Sequence, residues 1–212
     1  MKRLFLLFVL FLLTVTAMAQ MAFAQTTAPQ FSADMTVKSP HDRGMTGKMY
    51  MGAGKMRMDM TSEGGRMSMI TDSAKKTSTM VMHDQKMYME MSAEGRGMGP
   101  GPMSRGPKMP DIKAMDGTPC SGMTGATCKM AGAEMMNDRM CDRWEVTSAN
   151  KSEAGTVWVE QKTKMPIKSV KGDGTTWELT NFKEGPQDAS VFAVPAGYEK
   201  FDMGAMMQRR QR

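Results

Sequence analysis

Lys48-Met49-Tyr50-Met51 opens a stretch, ending at Met91, in which methionine returns at every second position. The same alternation runs through four more segments, which are Lys55-Met56-Arg57-Met58-Asp59-Met60, Arg66-Met67-Ser68-Met69-Ile70, Met80-Val81-Met82 and Lys86-Met87-Tyr88-Met89-Glu90-Met91. Successive side chains of a β-strand point to opposite faces of its sheet. The alternation therefore predicts strands with methionines on one face and polar or aromatic side chains on the other.

Short segments rich in glycine and polar residues separate these strands and predict tight turns. The turns are expected at 52–54, 62–65, 72–76 and 83–85. Other strands are expected at 31–37, 130–136, 139–147, 156–160, 166–171 and 175–182. Many short strands at such spacing predict a mainly β fold, an antiparallel meander that closes toward a barrel or sandwich.

Residues 1–24 have the features of a secretory signal peptide. Lys2 and Arg3 precede an apolar run from Leu4 to Val15, and Ala22-Phe23-Ala24 is a small-x-small cleavage site. The apolar run is too short to span a bilayer comfortably. We therefore expect an exported protein, periplasmic or secreted, whose mature chain has no transmembrane helix.

The mature chain is predicted to hold one domain, residues 31–201, between a flexible start at 25–30 and a flexible basic tail at 202–212. Residues 94–110 alternate glycine with proline and predict a disordered loop. The net charge of +6 falls to +4 when the two charges of the leader are removed. Because no basic stripe is interleaved with aromatics, a nucleic acid is not expected as a partner. Weak attraction to the anionic envelope membrane surface is expected, and a monomer is the default.

Methionine takes the place of other large aliphatic residues in this chain. The sequence has 30 methionines, and beyond the leader its only leucine is Leu179. Methionine is flexible and suits both irregular cores and adaptable binding surfaces. One interpretation is therefore a methionine face filled by the protein itself, as in a structural envelope protein. Another is a cavity for an apolar ligand, a lipid or acyl chain. The candidate cavity residues are Met49, Met51, Met56, Met58, Met60, Met67, Met69, Met80, Met82, Met87, Met89, Met91 and Trp158.

A soft-metal site is a further interpretation of the same stretch. Thioethers suit Cu(I) and Ag(I), and the alternative ligand set is Met80, Met82, His83, Met87 and Met89. If the strand continues, alternation places His83 on the face opposite Met80 and Met82. The three interpretations stay open at the level of sequence.

The three cysteines predict one disulfide and one free thiol. An exported chain favours disulfides, and Cys120–Cys128 closes a short glycine-rich loop. A two-residue hairpin at Asn137-Asp138 would set Cys141 opposite Glu134 and Cys128 opposite Thr147, so Cys128 and Cys141 would not be neighbours. No nucleophile elbow, phosphate-binding glycine loop or zinc motif occurs in the sequence. We therefore expect neither an enzyme nor a cofactor.

Several short motifs carry a resemblance to known families. Phe31-Ser32-Ala33-Asp34, Gly47-x-x-Tyr50 and Met56-Arg57-Met58 resemble the opening of the lipoprotein-localisation factor (Lol) superfamily of envelope carriers. The second half resembles a related bacterial domain of unknown function. Its motifs are Cys141-Asp142-Arg143-Trp144-Glu145, Val157-Trp158-Val159, Met165-Pro166-Ile167-Lys168 and Phe192-x-x-Pro195-x-Gly197-Tyr198.

The resemblance implies a strongly curved antiparallel sheet, an unclosed half-barrel with one or two short helices on its concave side. In the carriers the concavity holds acyl chains, and the resemblance implies no catalytic residue. Clear amphipathic helices are missing from this sequence. Only Asp111 to Met115 and the neighbourhood of Met135 are candidates for the short helices.

Overall fold

Twelve β-strands form one sheet in the computed structural model, which describes residues 29–40, 42–92, 118–120, 123, 125–149 and 153–201. The strands are β1 Phe31–Ser39, β2 Asp42–Gly52, β3 Lys55–Ser62, β4 Gly65–Asp72, β5 Thr77–Met82, β6 Met87–Ser92, β7 Ala126–Met136, β8 Arg139–Ser148, β9 Gly155–Glu160, β10 Pro166–Lys171, β11 Thr176–Glu184 and β12 Glu199–Lys200. The helical structure of the described residues is a short 3₁₀ helix, Ala189–Phe192. The predicted mainly β class is confirmed.

The sheet is a pair of antiparallel meanders that meet at β1 and β11. Its strand order is β12-β6-β5-β4-β3-β2-β1-β11-β10-β9-β8-β7. Each meander joins neighbouring strands by short connections, as the regular spacing of turn residues predicts. The two-residue strand β12 runs parallel to β6, while the other pairs are antiparallel. The sheet is curved and unclosed, ending at β12 and β7, which confirms the half-barrel prediction.

Two of the hairpin turns have two consecutive residues with a positive φ. Ala53 and Gly54 join β2 to β3 with φ of 51° and 71°. Asn137 and Asp138 join β7 to β8 with φ of 50° and 59°. Two consecutive left-handed residues match the right-handed twist of the flanking strands. These turns fix the register of the strands that they join.

Two hydrophobic clusters form the core of the sheet. The first cluster contains Phe31, Ala33, Met35, Met49, Met51, Met56, Met58, Cys141, Met165, Ile167 and Leu179. The second contains Ile70, Val81 and Phe192, with Tyr50, Tyr88, Val191, Val194 and Tyr198 packed against it. Ile70 and Val81 alternate with methionines along β4 and β5, so the second cluster lies on the face opposite those methionines. The C-terminal segment 189–201 covers that opposite face.

The predicted helices differ from the observed structure. The neighbourhood of Met135 is not helical, because strand β7 pairs there with β8 across the Asn137-Asp138 turn. The 3₁₀ helix Ala189–Phe192 packs near β3 in the second cluster, away from the methionines. The helix candidate Asp111 to Met115 lies outside the described residues. So do the predicted leader at 1–24, the loop at 94–110, the tail at 202–212 and most of the segment 25–30.

The described ranges contain no helix with the length and apolarity needed to cross a bilayer.

Candidate functional site: the methionine face

The predicted methionine strands align so that their methionines form rows across the sheet. One row runs through Met49, Met58, Met69, Met80 and Met89 on five adjacent strands. A second row runs through Gly47, Met60, Met67, Met82 and Met87. A third row runs through Met51, Met56, Thr71, Ser78 and Met91. Directly opposed residues share a face, so the structure brings all twelve predicted cavity methionines to one face of β2–β6.

Burial divides this face into two parts. Met49, Met51, Met56 and Met58 on β2 and β3 are at most 6 % exposed and belong to the first core cluster. On β4–β6 the methionines belong to neither cluster, and all but the buried Met89 keep part of their surface exposed. We call six of these residues the outer methionine grid: Met67, Met69, Met80, Met82, Met87 and Met89. The inner methionines are core, and the outer grid, apart from the buried Met89, is the accessible part of the face.

The outer methionine grid has only neutral neighbours among the described residues of its own strands. Along β4–β6 the residues that share its face are Gly65, Thr71, Ser78 and Met91. The charged residues of these strands, Arg66, Asp72 and Glu90, alternate with them and belong to the other face. A three-stranded surface of thioethers with small neutral neighbours can contact apolar matter without desolvating a charge.

His83 is separated from the four methionines of the alternative metal set. Met80 opposes Met89 and Met82 opposes Met87, so these four lie together. The His83 ring instead contacts Ser68, which alternates with Met67 and Met69 along β4. The structure thus divides the set, with thioethers on one face and the imidazole on the other.

His83 belongs to a partly buried polar network beneath the C-terminal segment. Arg57 Nε and the Ser68 hydroxyl both donate to Asp59 Oδ1 at 2.5 Å. Arg57 Nη2 also donates to Ser68 Oγ at 3.1 Å, and Arg57 Nη1 donates to the Val191 carbonyl oxygen at 2.8 Å. His83 Nε2 lies 2.6 Å from Ser68 Oγ.

The proton positions in this network follow from its donors and acceptors. The Ser68 hydroxyl has a single proton, and it donates this proton in the hydrogen bond to the Asp59 carboxylate. Ser68 Oγ must therefore accept a hydrogen bond from His83 Nε2. In the neutral imidazole Nδ1 is then an acceptor, and it accepts from the Tyr198 hydroxyl at 2.8 Å. In this arrangement the Ser68 hydroxyl donates its hydrogen bond to the Asp59 carboxylate and not to the imidazole. A serine nucleophile requires its proton to face the imidazole, and Ser68 is 0 % exposed.

Trp158 lies in the other half of the sheet, away from the outer methionine grid. It packs against the first core cluster, and its Nε1 donates to Glu134 Oε1. The Lys168 ammonium lies 5.5 Å from its ring centroid. The indole is therefore held by β7 and β10, and the cluster that it packs against includes no residue of the outer methionine grid.

The cysteines form one disulfide and one buried thiol. Cys120 is bonded to Cys128, and Cys141 is free and 0 % exposed. Burial, followed by the nearby Glu160 charge, raises the pKa of the Cys141 thiol to about 11. A thiol that keeps its proton is a poor nucleophile and metal ligand.

A groove of about 590 Å³ lies at the β7–β8 turn, apart from the methionine face. Arg139 lines the groove, with its guanidinium 4.1 Å from the Phe182 ring centroid and its Nη2 2.8 Å from Glu184 Oε1. Lys162 Nζ lies 3.2 Å from the other Glu184 oxygen. Hydrogen bonds from Arg139 and Lys162 lower the pKa of Glu184. The groove is thus lined by charges that already compensate one another.

Sequence reasoning missed the polar network and the role of residues 189–201. Alternation alone could have placed Arg57, Asp59, Ser68 and Val81 together, because all four are the non-methionine positions of their strands. No local pattern could have brought Tyr198 to His83, since 115 residues separate them. The network is the part of the site that depends on long-range contacts.

Comparisons with solved structures find several to which this chain is similar. The chain is similar to an uncharacterized conserved protein from Thermus thermophilus, with a TM-score of 0.55, 10 % identity and coverage of 82 % of this chain and 90 % of that one. It is also similar to the MucA/MucB complex of Pseudomonas aeruginosa, with a TM-score of 0.47, 11 % identity and coverage of 79 % and 56 %. A LolA superfamily protein from Nitrosomonas europaea matches with a TM-score of 0.34, 9 % identity and coverage of 78 % and 90 %.

Sequence comparison gives one family. No curated protein sequence matches the chain. The matching family model covers the strands that carry the methionine rows, whereas the motifs that suggested a domain of unknown function lie in the second half. The resemblance to such a domain is confirmed, and the match is to the family described as Domain of unknown function (DUF4412), over residues 31–98.

Proposed function

We propose that this protein is an exported, non-enzymatic binding protein that holds an apolar ligand, a lipid or its acyl chain, against the outer methionine grid. The observation that carries the proposal is the grid itself. It is a charge-free thioether surface on β4–β6 that neither core cluster includes. Leader-like residues 1–24 support export to the periplasm or beyond.

Methionine suits such a surface better than leucine or isoleucine. Its unbranched side chain has three rotatable bonds, so neighbouring thioethers can adapt to chains of different length and unsaturation. The larger β-branched and aromatic residues of β4–β6, which are Ile70, Val81 and Tyr88, are on the other face, where they pack into the second cluster. On β4–β6 one face of the sheet thus carries side chains of fixed shape packed into the second cluster, and the other face carries flexible methionines that can adjust to a ligand. The motif resemblance to the Lol carriers suggests the same ligand class.

The polar network supports the non-enzymatic part of the proposal. Ser68, His83 and Asp59 are the described residues that most resemble a catalytic set. They are hydrogen-bonded to one another, with the Ser68 hydroxyl donating to Asp59 and lying next to the imidazole. The Cys141 thiol is buried and keeps its proton. The two nucleophile candidates, the Ser68 hydroxyl and the Cys141 thiol, both belong to residues that are 0 % exposed.

A binding titration of the full chain with a fluorescent long-chain fatty acid tests the proposal. Met80→Glu places a carboxylate in the middle of the grid, where an acyl chain would have to desolvate it. We expect binding at least about tenfold weaker, because burying an unpaired charge is costly. The matched control is Met135→Glu on the β7–β8 hairpin, where the side chain is already 58 % exposed, and its affinity should equal that of the wild type.

Urea denaturation of both variants separates lost binding from lost folding. A Met80→Leu variant provides the second comparison, since leucine keeps the grid apolar at similar volume and should retain the fatty acid. Wild-type protein that binds no fatty acid would contradict the proposal and favour a methionine face filled by the protein itself. Equal effects of Met80→Glu and Met135→Glu would contradict it as well.

A further inference from the structure

We propose that the outer methionine grid is also a binding site for a soft monovalent cation, Cu(I) or Ag(I), held by thioether sulfur alone. The inference goes beyond the apolar ligand, because it uses the sulfur lone pairs rather than the methylene surface. It rests on the register of β4, β5 and β6, which places six thioethers in two rows on three adjacent strands.

The spacing of the grid suits a single ion. Directly opposed Cβ atoms in an antiparallel pair lie about 4.5–5.5 Å apart. Successive residues on the same face of one strand lie about 6.6 Å apart, two rises of about 3.3 Å. Met80 and Met89 are directly opposed, and Met82 is the next residue of that face on β5. Flexible side chains of this length can converge three sulfurs above such a triangle.

The chemistry of the donors selects the ion. Thioethers are soft, weakly basic ligands that suit Cu(I), whereas Mg²⁺, Ca²⁺ and Mn²⁺ take oxygen and Zn²⁺ takes thiolate, imidazole or carboxylate. No charged residue of β4–β6 shares the face of the grid, and the His83 imidazole is hydrogen-bonded on the other face. Within the described ranges no cluster of three or more histidine, cysteine, aspartate or glutamate residues could hold a metal. A neutral donor set also favours a monovalent over a divalent cation, because no ligand charge offsets the desolvation of the ion.

The other described methionines lack this combination of grouping and a position outside the two core clusters. Met49, Met51, Met56 and Met58 are grouped but buried in the first core cluster. Met130, Met135 and Met140 are 44–58 % exposed, but only Met135 and Met140 oppose each other, and Met130 opposes Trp144. The outer grid alone, among the residues that the structure describes, offers three or more neighbouring thioethers that are outside the core clusters.

A competition titration under anaerobic, reducing conditions tests the proposal with Cu(I) and a chromophoric Cu(I) chelator. The test variant of the full chain is Met80→Leu/Met82→Leu/Met89→Leu, which removes three sulfurs and conserves volume and apolarity. The control variant is Met130→Leu/Met135→Leu/Met140→Leu, which removes three sulfurs from the exposed hairpin. We expect Cu(I) binding at least about tenfold weaker in the test variant, and unchanged in the control.

Equal Cu(I) affinities for the two variants would overturn the proposal, because binding would then be a property of methionine content. X-ray absorption of the Cu(I)-loaded wild type should show sulfur ligands only, and nitrogen or oxygen ligation would overturn the proposal too.

Fatty-acid titration of the Met80→Leu/Met82→Leu/Met89→Leu variant distinguishes the cation site from the apolar-ligand site. An apolar surface made of leucine still binds the acyl chain, so loss of Cu(I) with retained fatty acid supports both proposals. Cu(I) retained by that variant contradicts only the cation site.

Discussion

The Nδ1 atom of His83 lies 2.8 Å from the hydroxyl oxygen of Tyr198, and this contact ties the C-terminal segment to the back of the methionine sheet. The segment is also held by backbone hydrogen bonds from Glu199 to Lys86 and from Phe201 to Tyr88, at 2.9 Å and 2.7 Å. We predict that Tyr198→Phe lowers the free energy of unfolding by about 1–2 kcal/mol, because it leaves a partly buried imidazole acceptor unpaired. Urea denaturation measures this difference.

Tyr88→Phe is the matched control for that substitution. Tyr88 packs against the same cluster, and its hydroxyl makes no hydrogen bond in the part of the chain that the structure describes. Its removal should change the free energy of unfolding by less than about 0.5 kcal/mol. Equal losses in the two variants would show that ring packing, and not the His83 contact, holds the segment.

Gly47 interrupts the second methionine row because β2 and β3 approach each other closely there. A Cβ at this position would lie 1.9 Å from the Asp59 carbonyl oxygen. We predict that Gly47→Ala destabilises the protein by about 1–3 kcal/mol, since the backbone of β3 must move. Gly64→Ala is the control, because the atom nearest to its added Cβ is Ser62 Oγ at 3.5 Å. The thermal unfolding temperature of this variant should stay close to that of the wild type. A Gly47→Ala variant as stable as Gly64→Ala would be inconsistent with the close approach.

The buried Cys141 thiol should make stability depend on pH in the alkaline range. Its pKa is about 11 in the folded chain against 9.0 for a free thiol. Between these values the unfolded chain binds fewer protons than the folded chain, so the free energy of unfolding falls as pH rises. The contribution of the buried, protonated thiol to the free energy of unfolding is fully present below pH 9. Lysines and tyrosines titrate in the same range, so the readout is the difference between wild type and Cys141→Ala.

That difference should shrink as pH rises from 9 toward 11 and stay constant between pH 6 and 8. A thiol-specific reagent gives an independent measurement, because the folded protein should react only as fast as it opens. Rapid labelling of native protein at pH 8 would contradict the buried, protonated state of the thiol.

The methionine strands could be predicted because their signal is local. A period of two, interrupted by turns such as Gly52-Ala53-Gly54, fixes both the strands and the face that each methionine occupies. The rows of the grid then follow from the hairpin connections. The face of His83 was predicted in the same way, since it continues the alternation of Met80-Val81-Met82.

The other features of the fold could not be predicted, because they depend on an irregularity in strand pairing and on contacts between residues that are distant in the chain. Cys128 opposes Val146 rather than Thr147, because a bulge between Met130 and Ala133 shifts the register by one residue. Gly132, with a φ of 121°, permits this bulge, but a glycine in a strand does not by itself show that a bulge forms. The parallel pairing of β12 with β6 and the contact of Tyr198 with His83 join the C-terminal segment to the β5–β6 hairpin. These partners are too far apart in the chain for any local pattern to relate them.

Native mass spectrometry of the full chain, purified without detergent, tests most directly whether the methionine face is a binding surface. We expect wild type and Met135→Glu to carry a mass increment that organic extraction removes and that corresponds to a lipid. The increment should be absent or greatly reduced in Met80→Glu, whose carboxylate lies within the grid. Wild-type protein that shows only its bare mass, or lipid retained equally by both glutamate variants, would contradict an apolar ligand on this face.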